Sequence, residues 1–215
     1  MYFSQCQEDQ FLHKHFCKDK MRGTYIELGA VDGIFQSNTK FFEDSMQWSG
    51  ILIEPEQNKF KQLQQNRPNN FLVNELVSCE RDALVYRCIE GIEAVAGVAS
   101  SLSHHHLEAY YDCEKFKYLH QYTRLITPKT LTEIIKSTPI THIDFLSLDV
   151  EGHELEVLKS WDFSVPIDLI LMETLGVDCE KETMCRDLLV QHGYHFKCKC
   201  AHNEIFVHET AILEN

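Results

Sequence analysis

Short apolar runs alternate with amphipathic stretches along most of the chain. This predicts an α/β fold, a mainly parallel sheet with helices on both faces. Thr24-Tyr25-Ile26-Glu27-Leu28 reads as the first strand, ending at Gly29. Residues 39–48 follow as a helix carrying Phe41, Phe42, Met46 and Trp48, and residues 50–54 as a second strand. Pro55 opens the next helix at its favoured first position. Phe60 and Leu63 give that helix an apolar face, and Asn66-Arg67-Pro68 stops it. A third strand is predicted over 71–77, and a hairpin from 84–88 and 94–99 around Glu90-Gly91. Residues 100–122 carry no clear periodicity and predict a substrate-side loop, with a short strand over 122–126. The pattern resumes with a helix over 130–137, a strand over 143–149 and a helix over 154–161 that buries Leu155, Leu158 and Trp161. A fifth main strand is expected over 167–173 and a helix over 180–192, stopped by Gly193. Residues 194–200 and 205–207 end the pattern as a hairpin, an ending that plain dinucleotide folds rarely have.

Composition fits one ordinary globular domain of 215 residues, 44% hydrophobic and 25% charged. No apolar run approaches the ~20 residues that span a bilayer. Met1-Tyr2-Phe3-Ser4-Gln5 has neither the basic nor the apolar region of a secretory leader. With 20 Lys+Arg against 33 Asp+Glu, the formal net charge is −13. Such a surface repels phosphate backbones, so nucleic acid is not an expected partner and neither is a membrane; a small neutral or cationic molecule suits it better. The nine cysteines are odd in number and include no C-x-x-C, which predicts reduced thiols in a cytoplasmic protein. The sequence leaves the oligomeric state open.

The chemistry concentrates in two places. In Glu27-Leu28-Gly29-Ala30-Val31-Asp32-Gly33 an acid lies in the first strand and two glycines in the turn after it, where open α/β sheets bind ligands. Glu54, twenty-one residues after Gly33, ends the second strand and suits ribose hydroxyls. The turn has no G-x-G, and Asp32 would set a negative charge where a dinucleotide's diphosphate should lie. S-adenosylmethionine (SAM) has no phosphate and carries an ammonium and a sulfonium, so the acids favour SAM over NAD. The second place is Ser147-Leu148-Asp149-Val150-Glu151-Gly152-His153-Glu154, where four ionisable groups crowd one strand–helix loop at the same sheet edge. Helix capping accounts for some of them; an active site accounts for all.

The same residues carry a resemblance. Ser4-Gln5-Cys6-Gln7-Glu8-Asp9 resembles the N-terminal Ser-Gln-x-x-Glu-Asp stretch of the FkbM-type SAM-dependent methyltransferases, although glycine is commoner where Gln7 stands. The run from Ile26 to Gly33, with Ile53-Glu54-Pro55, resembles that family's cofactor motif. Leu148 to Glu154, with Val157-Leu158, resembles its Asp-Val-Glu-Gly-x-Glu signature, the most specific of the three. The likeness spans roughly residues 3–175. It implies a Rossmann-like class I methyltransferase sheet of seven strands with a terminal antiparallel hairpin. It implies a single domain over 1–215, with 1–22 as a cofactor-side segment and 79–126 as a hairpin and substrate-side insertion. It also implies SAM as donor and O-methylation of a small molecule, with a sugar or glycan hydroxyl as acceptor.

A hydroxyl is a poor nucleophile when neutral, so a base or a metal is expected. Asp149, Glu151, His153 and Glu173 are the catalytic candidates: Asp149 nearest the reacting centre, His153 the base by its ordinary pKa, Glu151 orienting the loop. Asp149 and Glu173 are also the expected ligands if a divalent ion, Mg²⁺ or Mn²⁺, takes part. For SAM the expected contacts are Gln5, Glu27, Gly29, Ala30, Asp32, Gly33, Asn38, Thr39, Glu54 and Ser78, with Asn38 and Thr39 toward the methionine carboxylate and Ser78 toward the adenine. His104-His105-His106 reads as a solvated loop. His195, Cys198, Cys200 and His202 resemble a zinc set, but strand alternation separates His195 from the two thiols, so a core strand is expected instead. The rival functions are a scaffold that keeps the fold without its chemistry, and an NAD-dependent enzyme, which the first turn disfavours.

Overall fold

The computed structural model describes residues 1–211. An N-terminal segment leads into α1 (Glu8–His15), and β1 (Thr24–Leu28), α2 (Lys40–Met46), β2 (Ser49–Ile53), α3 (Gln57–Asn66) and β3 (Phe71–Val73) form the first half of the sheet. β4 (Leu84–Ile89), β5 (Gly97–Val98), α4 (His104–His106) and β6 (Gln121–Ile126) form an insertion. The main pattern resumes with α5 (Leu131–Lys136), β7 (Ile143–Leu148), α6 (Glu154–Lys159), β8 (Ile167–Glu173), α7 (Cys179–Gln191), β9 (Tyr194–Cys200) and β10 (Asn203–His208). The seven-stranded sheet has the order β3-β2-β1-β7-β8-β10-β9, parallel except for β10. The expected fold class is therefore observed, terminal hairpin included.

Alternation along the strands builds a core on each side. Ile26, Leu28, Ile51, Ile53, Leu146 and Leu148 face α5, α6 and α7. Tyr25, Leu52, Phe145, Leu169 and Leu171 face the other way, against Leu12, Phe41, Phe42 and Leu63 of α1 to α3. A side chain of this size is worth about 1.5–3 kcal/mol when fully buried, so both faces are fixed and a one-residue slip in any central strand would exchange them. Arg67, fully buried, ties α3 beneath the first turn: it pairs with Glu43 and donates to the Gly33 carbonyl (2.8 Å) and the Tyr25 hydroxyl (2.6 Å). In the sequence it reads only as part of a helix stop.

Two expectations are corrected. The third strand ends at Val73, not Val77, because the Asn74 amide donates to the carbonyls of Glu54 (2.8 Å) and Pro55 (3.3 Å) and turns the chain. Glu75, Leu76 and Val77 then cross the carboxyl edge of the sheet. Residues 100–122 are not a bare loop. Ser103 caps α4 by accepting from the His106 N–H (3.0 Å), and a π-turn, Leu107–Tyr111, continues it. Leu102 and Tyr111 pack on Ile89 in a core of their own. The predicted 84–88/94–99 pairing is present as β4 with β5, and β6 joins the other side of β4 to make a separate three-stranded antiparallel sheet.

Candidate functional site

The first turn is held by carboxylates. Glu27 accepts from the Asn38 N–H (2.7 Å), the Ser37 hydroxyl (2.8 Å) and the Thr39 hydroxyl (2.6 Å), which fixes residues 37–39 behind the turn. Burial raises its pKa, opposed by Arg67 and by these hydrogen bonds. Glu54 accepts from the backbone N–H of Val31 (2.9 Å) and of Glu56 (2.6 Å), and burial pushes it up to about 8. Gly29, at φ +75°, brings the end of β1 so close to the Asp149 carbonyl that a Cβ there would overlap it. Only glycine allows that approach, so Gly29 seats the two chemical loops against each other.

In the second loop Glu151 takes a left-handed backbone conformation (φ 56°), uncommon for a side chain of its size, and Gly152 follows at φ +91°. The Glu154 carboxylate accepts from the N–H groups of Val150 (3.1 Å) and Gly152 (3.2 Å) and is pushed up to about 7 by burial. Asp149 and Glu173, from the ends of β7 and β8, line the same cavity. Burial, and then the neighbouring acids, hold both well above the ordinary carboxylate range. Two carboxyl groups so placed oppose each other's ionisation.

Three connected cavities surround these groups. A deep pocket of about 80 Å³ lies between Gly29, Ile53, Glu54, Leu76 and Val77, roofed by Ala94, Ala96 and Val98 of the insertion. A wider one, about 540 Å³, opens from it past Phe35 and Asp149 to Glu173, with Tyr110 and Phe116 above. A side cavity of about 50 Å³ continues behind Glu151 and Glu173 toward Leu155, Met172 and Lys181. The volumes and the donor set fit SAM: a carboxylate at the end of β2, no phosphate cradle, and acids where the methionine and sulfonium end would lie.

Of the expected SAM contacts, Gly29 and Glu54 line the deep pocket, Gln5 and Asp32 the wide one, and Asn38 a small recess beside Asp149 and Glu173. Asp32 also caps its own turn, accepting from the N–H of Ile34 (2.9 Å) and of Phe35 (2.8 Å). Glu27, Ala30, Gly33 and Thr39 lie behind the turn and shape it. Ser78, expected at the adenine, is fully buried with its hydroxyl 3.0 Å from His153 Nε2. Asp149, Glu151 and Glu173 come together in the wide cavity. His153 is 2% exposed; its Nδ1 meets the Ser101 hydroxyl (2.7 Å), and burial lowers its pKa to about 4.

The expected metal role of Asp149 and Glu173 is not supported. Among the described residues the one clustered set of potential ligands, His142, Asp144 and Asp168, lies at the opposite end of the strands, where Lys20 pairs with Asp144. Phe35, Gln36, Leu76, Val77, Ala94, His106 and Tyr110 line the cavities without having been read as site residues. The histidine triplet is not uniformly solvated: the side chain of His104 is 86% exposed and that of His106 only 7%.

No curated protein matches the sequence. The Methylobacillus flagellatus KT methyltransferase FkbM structure has a TM-score of 0.50 at 13% identity over 88% of this chain, which spans 44% of that one. TrmK of M. capricolum, solved with S-adenosyl-homocysteine (SAH), gives 0.48 at 10% identity, over 96% of this chain and 68% of that one. A human methyltransferase 10 domain containing protein gives 0.43 at 12%, over 94% and 78%. No helix among the described residues is long and apolar enough to cross a membrane. The methyltransferase FkbM domain model matches residues 27–196, from the acid of the first strand into the terminal hairpin, and the chain belongs to the FkbM family of SAM-dependent methyltransferases.

Proposed function

We propose that this methyltransferase acts on a hydroxyl group of a small neutral molecule, a sugar or glycan, with the Asp149–Glu173 pair as proton acceptor. The observation that carries the reading is that pair, set on the cavity floor where the ends of β7 and β8 meet. Bound in the crevice, SAM supplies a methyl group already activated by a sulfonium. The chain's own residues must then hold an acceptor oxygen in line and take its proton. A carboxylate with a raised pKa is a stronger base, so Asp149, on the wide cavity beside Glu173, is suited to that proton. Glu54 suits the ribose hydroxyls, both of its oxygens being fixed by backbone N–H groups. We assign His153 a positioning role instead of the base, because both ring nitrogens are engaged by serines.

The acceptor's neutrality is read from the lining. Among the described residues Lys59 is the one Lys or Arg on the wide cavity, and it pairs with Glu93 at 3.4 Å, which speaks against a phosphate or carboxylate there. Phe35, Tyr110 and Phe116 offer ring faces on which sugar faces stack. The nine cysteines are unbridged, which fits a reducing, cytoplasmic setting. The test is transfer of label from SAM to a panel of neutral mono- and oligosaccharides, read by mass spectrometry with and without chelator. Asp149→Asn should lower transfer by about 10²–10⁴-fold while SAH still binds. A variant that transfers normally removes Asp149 from the reaction.

A further inference from the structure

We propose that His106, from the insertion, is a positioning residue that fixes the Glu151 carboxylate at the junction of the cavities and so holds the insertion over the cofactor. The inference rests on reading the crevice as the SAM site. Glu151 lines the deep pocket, the wide cavity and the side cavity alike. Its backbone is in the left-handed region, so its direction is not set by local preference and needs an outside partner.

That partner is His106. Its Nε2 lies 3.0 Å from the Val95 carbonyl, which can only accept, so this nitrogen carries a proton. Its Nδ1 lies 3.1 Å from the Glu151 carboxylate. With one nitrogen already a donor, a second donor makes the ring an imidazolium and the contact an ion pair. Burial draws the ring's pKa down, but the hydrogen bond and charge of Glu151, and then the Val95 carbonyl, outweigh it and leave it raised. Tyr110 and Tyr111 of its own segment lie against the ring, and the other ionisable groups lining the side cavity with it are Glu154, Glu173, Asp178, Lys181, Glu182 and Cys185.

Val95 belongs to the roof and Glu151 to the floor, so His106 clasps one to the other. The clasp binds a proton more tightly when closed than when open. Closure is therefore favoured at low pH and lost as pH rises through the titration of the closed ring.

The probe is SAH, titrated calorimetrically into the full chain between pH 5.5 and 9, together with the ring titration of His106 followed by NMR in the free protein. Wild-type affinity should fall as His106 deprotonates. His106→Gln keeps a neutral donor for Glu151; it should bind about tenfold more weakly at pH 6 and lose this pH dependence. His106→Ala should bind more weakly still. In Glu151→Gln the His106 titration should move to lower pH. If His106→Gln keeps the wild-type pH profile, or the ring titrates the same with and without the Glu151 charge, His106 is only space-filling and the proposal is overturned. Failure of the wild type to bind SAH at any pH would instead sink the SAM reading on which it rests.

Discussion

Gly152→Ala tests whether the insertion is seated on the signature loop as closely as the structure has it. Gly152 lies at φ +91°, and a Cβ there would sit 2.6 Å from the Ser101 carbonyl oxygen. Ordinary carbon–oxygen contacts begin near 3.3 Å, so roughly 0.7 Å must be found by moving backbone on one side or the other. Two costs combine. Leaving glycine at positive φ costs about 1–2 kcal/mol, and forcing an extra carbon into a packed junction about 1–3 more. Gly176 separates them: it has φ +72° and nothing within 4 Å of its Cβ position, so Gly176→Ala carries the first cost alone. At about 2–4 °C per kcal/mol for a chain of this size, Gly176→Ala should lower Tm by about 2–8 °C and Gly152→Ala by clearly more. The displaced carbonyl belongs to Ser101, whose hydroxyl holds His153, and Gly152 adjoins Glu151, so the second variant should also bind SAH at least about tenfold more weakly. Thermal melting and SAH titration of both variants decide it. Equal melting losses and equal SAH affinities would refute the close seating of the insertion.

Other expectations follow from single contacts. Arg67→Met should cost about 3–5 kcal/mol in urea unfolding, because it leaves Glu43 only its longer contact with Lys40 (3.8 Å) and the Gly33 and Tyr25 oxygens without the Arg67 donor; a cost below about 1 kcal/mol would contradict that network. Ser78→Ala should destabilise by about 1–2 kcal/mol, stranding one His153 nitrogen, while SAH affinity stays within about twofold; a large affinity loss would return Ser78 to the cofactor site. Glu54 has its pKa raised from 4.5 to about 8 in the fold, so the folded state holds its proton more tightly than the unfolded chain. Its contribution is present at low pH and is lost as pH rises from about 4.5 through about 8. Glu54→Gln should flatten that part of the stability–pH curve measured by calorimetry without SAM, and an unchanged slope would place the titration elsewhere.

Strand and helix order was readable because each main-sheet element carries its own apolar period, and the acids at the ends of β1, β2, β7 and β8 were conspicuous as charges where burial wants none. What a carboxylate does there was less readable. Glu27 and Glu54 look alike in sequence, both acids at strand ends. Glu27 spends its oxygens on Ser37, Asn38 and Thr39, and Glu54 keeps its face toward the pocket. The difference is set by where residues 37–39 return, a tertiary fact. Likewise Leu76 and Val77 read as strand because they are apolar, and only the Asn74 side chain, competing for the carbonyls of Glu54 and Pro55, turns them across the pocket.

The insertion hid the rest. Residues 100–120 pack on one another and on the rest of the insertion, so their apolar positions follow neither a helical nor a strand period. His106 was lost inside a triplet whose members look equivalent but are not. The Ser103 cap orients that turn and places one ring against Val95 and Glu151, leaving His104 in solvent. The sheet edge alone gives half a site: it can offer carboxylates to a cation but cannot keep water from them. Burial is what lifts Asp149, Glu173, Glu54 and Glu154 out of the ordinary carboxylate range, and part of that burial is supplied by residues 94–116. The basicity that the proposed hydroxyl acceptor would need is thus a property of the insertion as much as of the signature motif, and a change in the insertion should tune it without touching an acid.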